Sequence, residues 1–158
     1  MVERPRGGGR PRGSVELSPD LIRDAFAAGS VAAAVSGAPS TAHALATGAD
    51  PLETSLAAGA MVLPNEERAL PLLAVATPVH VAISLGWALA LAALLPRRNT
   101  AAWGALAGLA IAALDLGVVG RRFPRVAALP TLPQIADHAA YGAAVGAVLS
   151  RRRSRGGG

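Results

Sequence analysis

The apolar residues of this chain fall into four runs separated by short polar stretches, each with the length or punctuation of a helix. The first run follows Ser18-Pro19-Asp20, where Ser18 can cap, Pro19 suits the first helical position and Asp20 complements the helix N-terminus. It predicts a helix to about Gly37, with Ala25, Gly29, Ala33 and Gly37 at four-residue spacing as one smooth face. Leu70 to Leu95 is the longest run, uncharged apart from His80 and ample for a membrane span. Pro78 predicts a kink in it, and Ala82, Gly86 and Ala90 a small-residue face. Thr100 to about Gly120 carries Gly104 and Gly108 in a GxxxG spacing. The last run, from Pro133 to Ser150 with Thr131 as a cap, repeats that spacing at Gly142 and Gly146. In a chain so rich in Ala and Gly these spacings read as packing within one bundle in preference to a dimer signal.

Between the first two runs the chain turns polar, from Ala38 to Arg68. Asp50-Pro51-Leu52-Glu53 forms a helix start, with Asp50 as cap and Glu53 placed for a capping box. The helix it opens, over about 51–63, rises only ~18 Å against a ~30 Å hydrocarbon core, so it cannot span. Leu52, Leu56, Gly59, Ala60 and Leu63 share a face, which makes it an interfacial or re-entrant helix. The fold class expected is therefore all-α, a transmembrane helical bundle of about four spans (19–37, 70–95, 100–120 and 133–150) plus this short helix. One helical domain over 18–150 lies between an Arg/Gly/Pro-rich tail, 1–17, expected to be disordered, and a basic tail, 151–158. A competing reading makes the first run a cleavable signal peptide, with Ala42-His43-Ala44 in the small-x-small form of a cleavage site.

Composition sharpens the membrane reading. Of 158 residues 52% are hydrophobic and 16% charged, greasier than an average soluble domain. Phe26, Trp87, Trp103, Phe123 and Tyr141 are the sole aromatics, which suits closely packed helices better than an aromatic-rich sheet. All 15 basic residues are Arg, yet no nucleic-acid motif or basic helix face accompanies them, so no nucleic-acid partner is expected. The absence of Cys excludes disulfides, thiolate metal sites and cysteine nucleophiles. Four spans place both termini and the 96–99 turn on one side, with Arg4, Arg6, Arg10, Arg12, Arg97, Arg98, Arg151, Arg152, Arg153 and Arg155. The other side has Arg68, Arg121, Arg122 and Arg125, beside Asp50, Glu53, Glu66 and Glu67. By the positive-inside rule the termini are cytoplasmic, in a multi-pass protein of the cell membrane.

Ionisable groups among apolar segments are functional-site hypotheses by default. Here they gather in Asp115–Tyr141, and the candidate polar cluster is Asp115, Arg121, Arg122, Asp137, His138 and Tyr141, with His80 from the second span. Helical rise puts Asp115 ~8 Å, Tyr141 ~12 Å and His80 ~15 Å below the outer ends of their spans, in one half of the membrane. The neighbouring turns of its own helix offer Asp115 no partner. It needs Arg121 or Arg122 folding back, or His138, Tyr141 or His80 from elsewhere. A metal site from Asp115, Asp137, His138 and His80 is chemically conceivable. However, Asp137 and His138 point about 100° apart on a helix and no HExxH pair exists, so Asp137 near a helix N-terminus with arginine partners is the preferred account. No cofactor, metal or catalytic residue is expected.

The stretches LDLGVVGRRFP and LPQIADHAAYG are the most distinctive in the chain. Through them it resembles small four-span integral membrane proteins of GC-rich bacteria, a resemblance that covers most of the chain between the tails and implies no activity. DLGVVGRR looks like a fragment of the CDP-alcohol phosphotransferase motif but lacks its further aspartates. Glu66-Glu67 is similar to the paired glutamates of intramembrane CAAX-type proteases, but Pro71 stands where their arginine belongs; nothing is carried over from either. Two function classes follow. The leading one is a non-enzymatic accessory or partner-binding membrane subunit, set in the lipid bilayer as a homo-oligomer or with another membrane protein. The other is a small oligomeric proton-linked carrier or lipid-headgroup-binding protein using Asp115, His80 and the outer-side arginines.

Overall fold

The computed structural model describes residues 17–155 and is all-helical, with no strand among the described residues. The tail expected over 1–17 lies outside them except for Leu17, as do residues 156–158 of the basic tail. Helix α1 spans Pro19–Val35 and is capped as its sequence predicts, the Ser18 hydroxyl accepting the Leu21 amide at 3.2 Å. The chain then breaks at Ser36-Gly37 and starts α2, Ala38–Thr47, which Gly48 ends in the left-handed conformation at φ 71°. The polar stretch after Gly37 thus holds a helix absent from the sequence reading. Helix α3 is Glu53–Ala60, shorter than the 51–63 expected, because Asp50 accepts the Leu52 amide at 2.8 Å and holds Pro51-Leu52 in a turn ahead of the helix.

Helix α4 spans Ala69–Leu94 and continues through Pro78. Arg97, Arg98 and Asn99 turn the chain, Asn99 taking φ 53°, a value that asparagine tolerates better than most residues. Helix α5, Thr100–Leu114, passes into a π-helical turn at Asp115–Val119 and a 3-10 turn at Gly120–Arg122. A single-turn α6, Pro124–Ala127, leads to α7, Thr131–Arg155, which carries five residues of the basic tail on as helix.

Residue pairings fix how the long helices run. Gly29 of α1 meets Leu85 and Ala88 of α4 while His80 bonds Ala33, so α1 and α4 are antiparallel. Gly104 lies against Gly142 and Gly146, and Gly108 against His138 and Ala139, so α5 and α7 are antiparallel too. Tyr141 bonds Ser84 and Arg153 bonds Leu95, which sets α7 parallel to α4. An up-down-up-down bundle results. One end holds the start of α1, the turn after α4 and the end of α7; the other, the looped end, gathers α2, α3, the π and 3-10 turns, α6 and the start of α7.

Alanines make up half of the core, Ala25, Ala28 and Ala32 of α1 and Ala88 and Ala92 of α4, packed with Leu91, Ile111, Tyr141, Val145 and Leu149. Large apolar side chains face outward, Phe26 at 62% exposure, Trp103 at 51% and Leu106 at 55% among them. A water-soluble bundle would do the reverse, since burying the large side chains is its main driving force. Small residues inside and large ones outside are the arrangement for helices in lipid, where close backbone approach replaces the hydrophobic effect. Three helical segments are long and apolar enough to cross a membrane: Pro19–Thr47, counted through the break at Ser36-Gly37, Ala69–Leu94, and Thr100–Arg122, counted through the irregular turns. Of the four expected spans, α7 is the exception; it has the length, but Gln134, Asp137, His138 and Tyr141 dilute its apolar character.

The closest approach is between α5 and α7, where the two GxxxG faces interlock. A Cβ built on Gly104, Gly108, Gly142 or Gly146 would collide with backbone of the facing helix, so no side chain fits at any of the four. The face expected on α4 at Ala82, Gly86 and Ala90 is not the one that packs. Ser84, Ala88, Leu91 and Ala92 are buried instead, and Gly86 looks into open space. Gly29 decides this register, since it is the notch that receives Leu85 and Ala88.

Candidate functional site

At the looped end the chain brings polar groups from α2, α3, α7 and the π turn together. The π turn is a local widening of α5 in which the Gly120 amide reaches back five residues to the Asp115 carbonyl. Gly120 is buried there, and a Cβ on it would fall 2.9 Å from that carbonyl oxygen and 3.0 Å from Val126, so glycine suits the position. The turn starts at Asp115 and so sets where its carboxylate projects.

Asp115 meets His138, its Oδ2 lying 3.2 Å from Nε2 of the imidazole. The other ring nitrogen, Nδ1, is 2.8 Å from the Gln134 carbonyl oxygen, an acceptor without a proton to give, so Nδ1 carries hydrogen and donates. Two states remain for the contact with Asp115. Either Nε2–H donates to a carboxylate, or the protonated acid donates to a bare Nε2; each holds one proton between the two groups and leaves the pair neutral as a whole. His138 is therefore the partner that Asp115 needed, and Arg121 and Arg122 are not. Neither arginine is hydrogen-bonded or ion-paired to another described residue, and both side chains lie at the surface.

Asp137 faces a different way and does a different job. It is 8% exposed and accepts from Ser40 twice, at Oδ1 from the backbone amide at 2.9 Å and at Oδ2 from the hydroxyl. Ser40 is in the first turn of α2, whose N-cap, Gly37, has no side chain to satisfy the free amides. Asp137 supplies that cap from α7, 97 residues away in sequence. In place of the arginine pairing expected for Asp137 near the start of its own helix, the carboxylate serves the N-terminus of α2. Gln134, one turn earlier and 7% exposed, donates to the Ser40 hydroxyl at 2.9 Å and to Thr54 of α3 at 3.2 Å. One short network thereby ties α2, α3 and α7.

The remaining candidates are spread through the bundle. His80 has Nε2 3.1 Å from the Ala33 carbonyl oxygen, in the last turn of α1, where helix carbonyls lack donors of their own. Tyr141 is 7% exposed and donates to the carbonyl of Ser84 in α4. Both join helices away from Asp115, so the seven-residue cluster resolves into one Asp115–His138 pair, an Asp137 cap, two helix ties and two surface arginines.

Several partners lay beyond the sequence reading. Arg125 grips Glu53 of α3 with Nε at 2.8 Å and a terminal nitrogen at 3.0 Å, and the carboxylate holds its guanidinium above the usual arginine range. At the opposite end Arg152 pairs with Asp24 of α1 at 2.5 Å, and Arg153 donates to the carbonyls of Ala92 and Leu95, closing the end of α4. In the loop before α4, hydrogen bonds from Arg68 draw the Glu66 carboxyl down to about 2. For α2 a signal was present: Pro39 early in a helix and Gly48 just past its end are ordinary boundary marks. Its missing cap gave no hint of where a replacement would come from.

Among the described residues no three acidic or histidine side chains come together in a way that could hold a metal ion. Comparison of the chain with protein-family models, with curated proteins and with solved structures gives no match in any of the three.

Proposed function

We propose that this chain is a multi-pass membrane protein whose role is non-enzymatic, an accessory or partner-binding subunit. One observation carries the reading: the buried and half-buried polar groups are engaged in joining helices to one another. Asp137 caps α2, Gln134 bridges α2 and α3, Tyr141 ties α4 to α7, and Arg153 closes α4. Among the described residues no buried side-chain nitrogen or oxygen lacks a hydrogen-bond partner. Such groups cost free energy in an apolar setting unless they are paired, so their pairing stabilises a rigid body suited to being recognised.

In this reading α7 is a fourth span, its polar half shielded by α2, α3 and the π turn, and both termini are cytoplasmic. Reporter fusions after Arg98 and after Arg125 are expected to report opposite sides of the membrane; the same side for both removes the four-span arrangement.

A second reading rests on the Asp115–His138 pair, 34% and 21% exposed at their side chains and able to pass one proton between them. It makes the chain a proton-linked carrier. One experiment separates the two: extraction of the tagged chain from its own membranes into lipid nanodiscs, with proton flux measured in reconstituted vesicles. The accessory role predicts a second polypeptide in fixed stoichiometry and no flux above empty vesicles. A chain isolated alone, with flux abolished by Asp115→Asn, would install the carrier in its place.

A further inference from the structure

A cleft of about 540 Å³ opens between the end of α5 and the start of α7, under α6. Its walls are largely apolar, with Leu109, Ala113 and Leu116 on one side and Val126, Leu129 and Ile135 on the other, while Arg121, Thr131 and Gln134 add polar lining. We propose that this cleft binds an anionic phospholipid, one acyl chain lying between α5 and α7 and the phosphate on Arg121 and Arg122. The inference goes beyond the accessory role and does not depend on it.

Charge complementarity is the first argument. Arg68 and Arg125, at the same end, are each held by a glutamate, whereas Arg121 and Arg122 are joined to no acidic group among the described residues. They close the Thr100–Arg122 segment, where a span meets the headgroup layer and arginines attract anionic lipid. Continuity is the second. Leu109 lines the cleft and is itself 42% exposed, and Leu106, one turn away, is 55% exposed, so along α5 the wall continues into the helix's outward apolar surface. A lipid chain can enter sideways from the bilayer. Arg121, in the 3-10 turn at Gly120–Arg122, lines the cleft itself, and Arg122 follows it in the same turn. A free phosphate would gain only the charge; it would leave the apolar walls uncovered and would lose hydration at the mouth. The lipid gains both, which commits the site to a lipid and not to a soluble phosphate compound.

The test uses the full chain in detergent micelles, with native mass spectrometry counting retained ligand for dioleoyl phosphatidylglycerol, dioleoyl phosphatidylcholine and glycerol 3-phosphate. Phosphatidylglycerol is expected to be retained roughly 10-fold or more over phosphatidylcholine, since each basic residue near the surface favours anionic lipid. Arg121→Gln with Arg122→Gln should bring it down to the phosphatidylcholine level. Ala113→Trp, which fills the cleft from an exposed position, should lower it with both arginines intact. Arg98→Gln, at the far end, should leave it unchanged. Helical melting of each variant checks the fold, which two surface arginines should not affect. Equal retention of the two lipids by the native chain overturns the proposal. So does undiminished phosphatidylglycerol in either cleft variant, an equal loss in Arg98→Gln, or glycerol 3-phosphate held as firmly as the lipid.

Discussion

Gly108→Leu lowers the stability of the bundle by about 3 kcal/mol or more, at or above the upper end of what overpacking a tight core costs. At this position even a Cβ has no room: it would fall against the carbonyl oxygen of His138, which is backbone and cannot rotate away. Gly104, Gly142 and Gly146 face the same obstacle, so Gly→Ala at each of these is expected to be destabilising as well. The comparison that makes the result specific is Gly86→Ala. Nothing lies within 4 Å of the Cβ it adds, and removing a helical glycine gains roughly 0.5–1 kcal/mol, so this variant should melt at or above the native temperature. Thermal unfolding in detergent, followed by helical circular dichroism, reads all of these. Equal tolerance of Ala at Gly86 and Gly108 would mean that α5 and α7 do not touch as described.

Asp137→Ala is the second large effect, about 2–3 kcal/mol. The acid is 8% exposed, and removing it leaves the Ser40 amide and hydroxyl without their acceptor and α2 without a cap. Ser40→Ala should cost less, near 1 kcal/mol, because the amide bond to Asp137 survives and Gln134 keeps Thr54. The order of the two is the diagnostic, and it carries a local readout. Limited proteolysis in the 38–50 segment should rise in Asp137→Ala, since α2 loses its tie to α7, and should change little in Ser40→Ala. Equal stability of Asp137→Ala and the native chain would place Asp137 outside the framework and return it to the candidates for chemistry.

The helical class, the small-residue character and the positions of the long helices were legible in the sequence because they are local properties. Ser18 caps α1 from the next residue, α4 is announced by an unbroken apolar run, and Gly104, Gly108, Gly142 and Gly146 are visible as spacings. The need of Asp115 for a distant partner was legible too, since its own helix shows only apolar neighbours. The sequence could not choose that partner. His138 and the two nearby arginines can each donate a hydrogen bond to a carboxylate, and only the π turn together with the α5–α7 crossing brings one of them within 3.2 Å.

What the chain determined by itself is the four long helices and the small-residue spacings along them. Which smooth faces meet was left to tertiary structure: α4 turns Ala88 inward and Gly86 outward, though both are small, because Gly29 of α1 admits the former. The same holds for the polar groups. A helix start without a cap, as at Gly37, records a need for an acceptor but not its address, and a carboxylate 97 residues away meets it once α7 lies alongside. Hydrogen-bond demand is written locally, residue by residue, whereas its satisfaction in an apolar bundle depends on which backbones come close, and that is decided by packing.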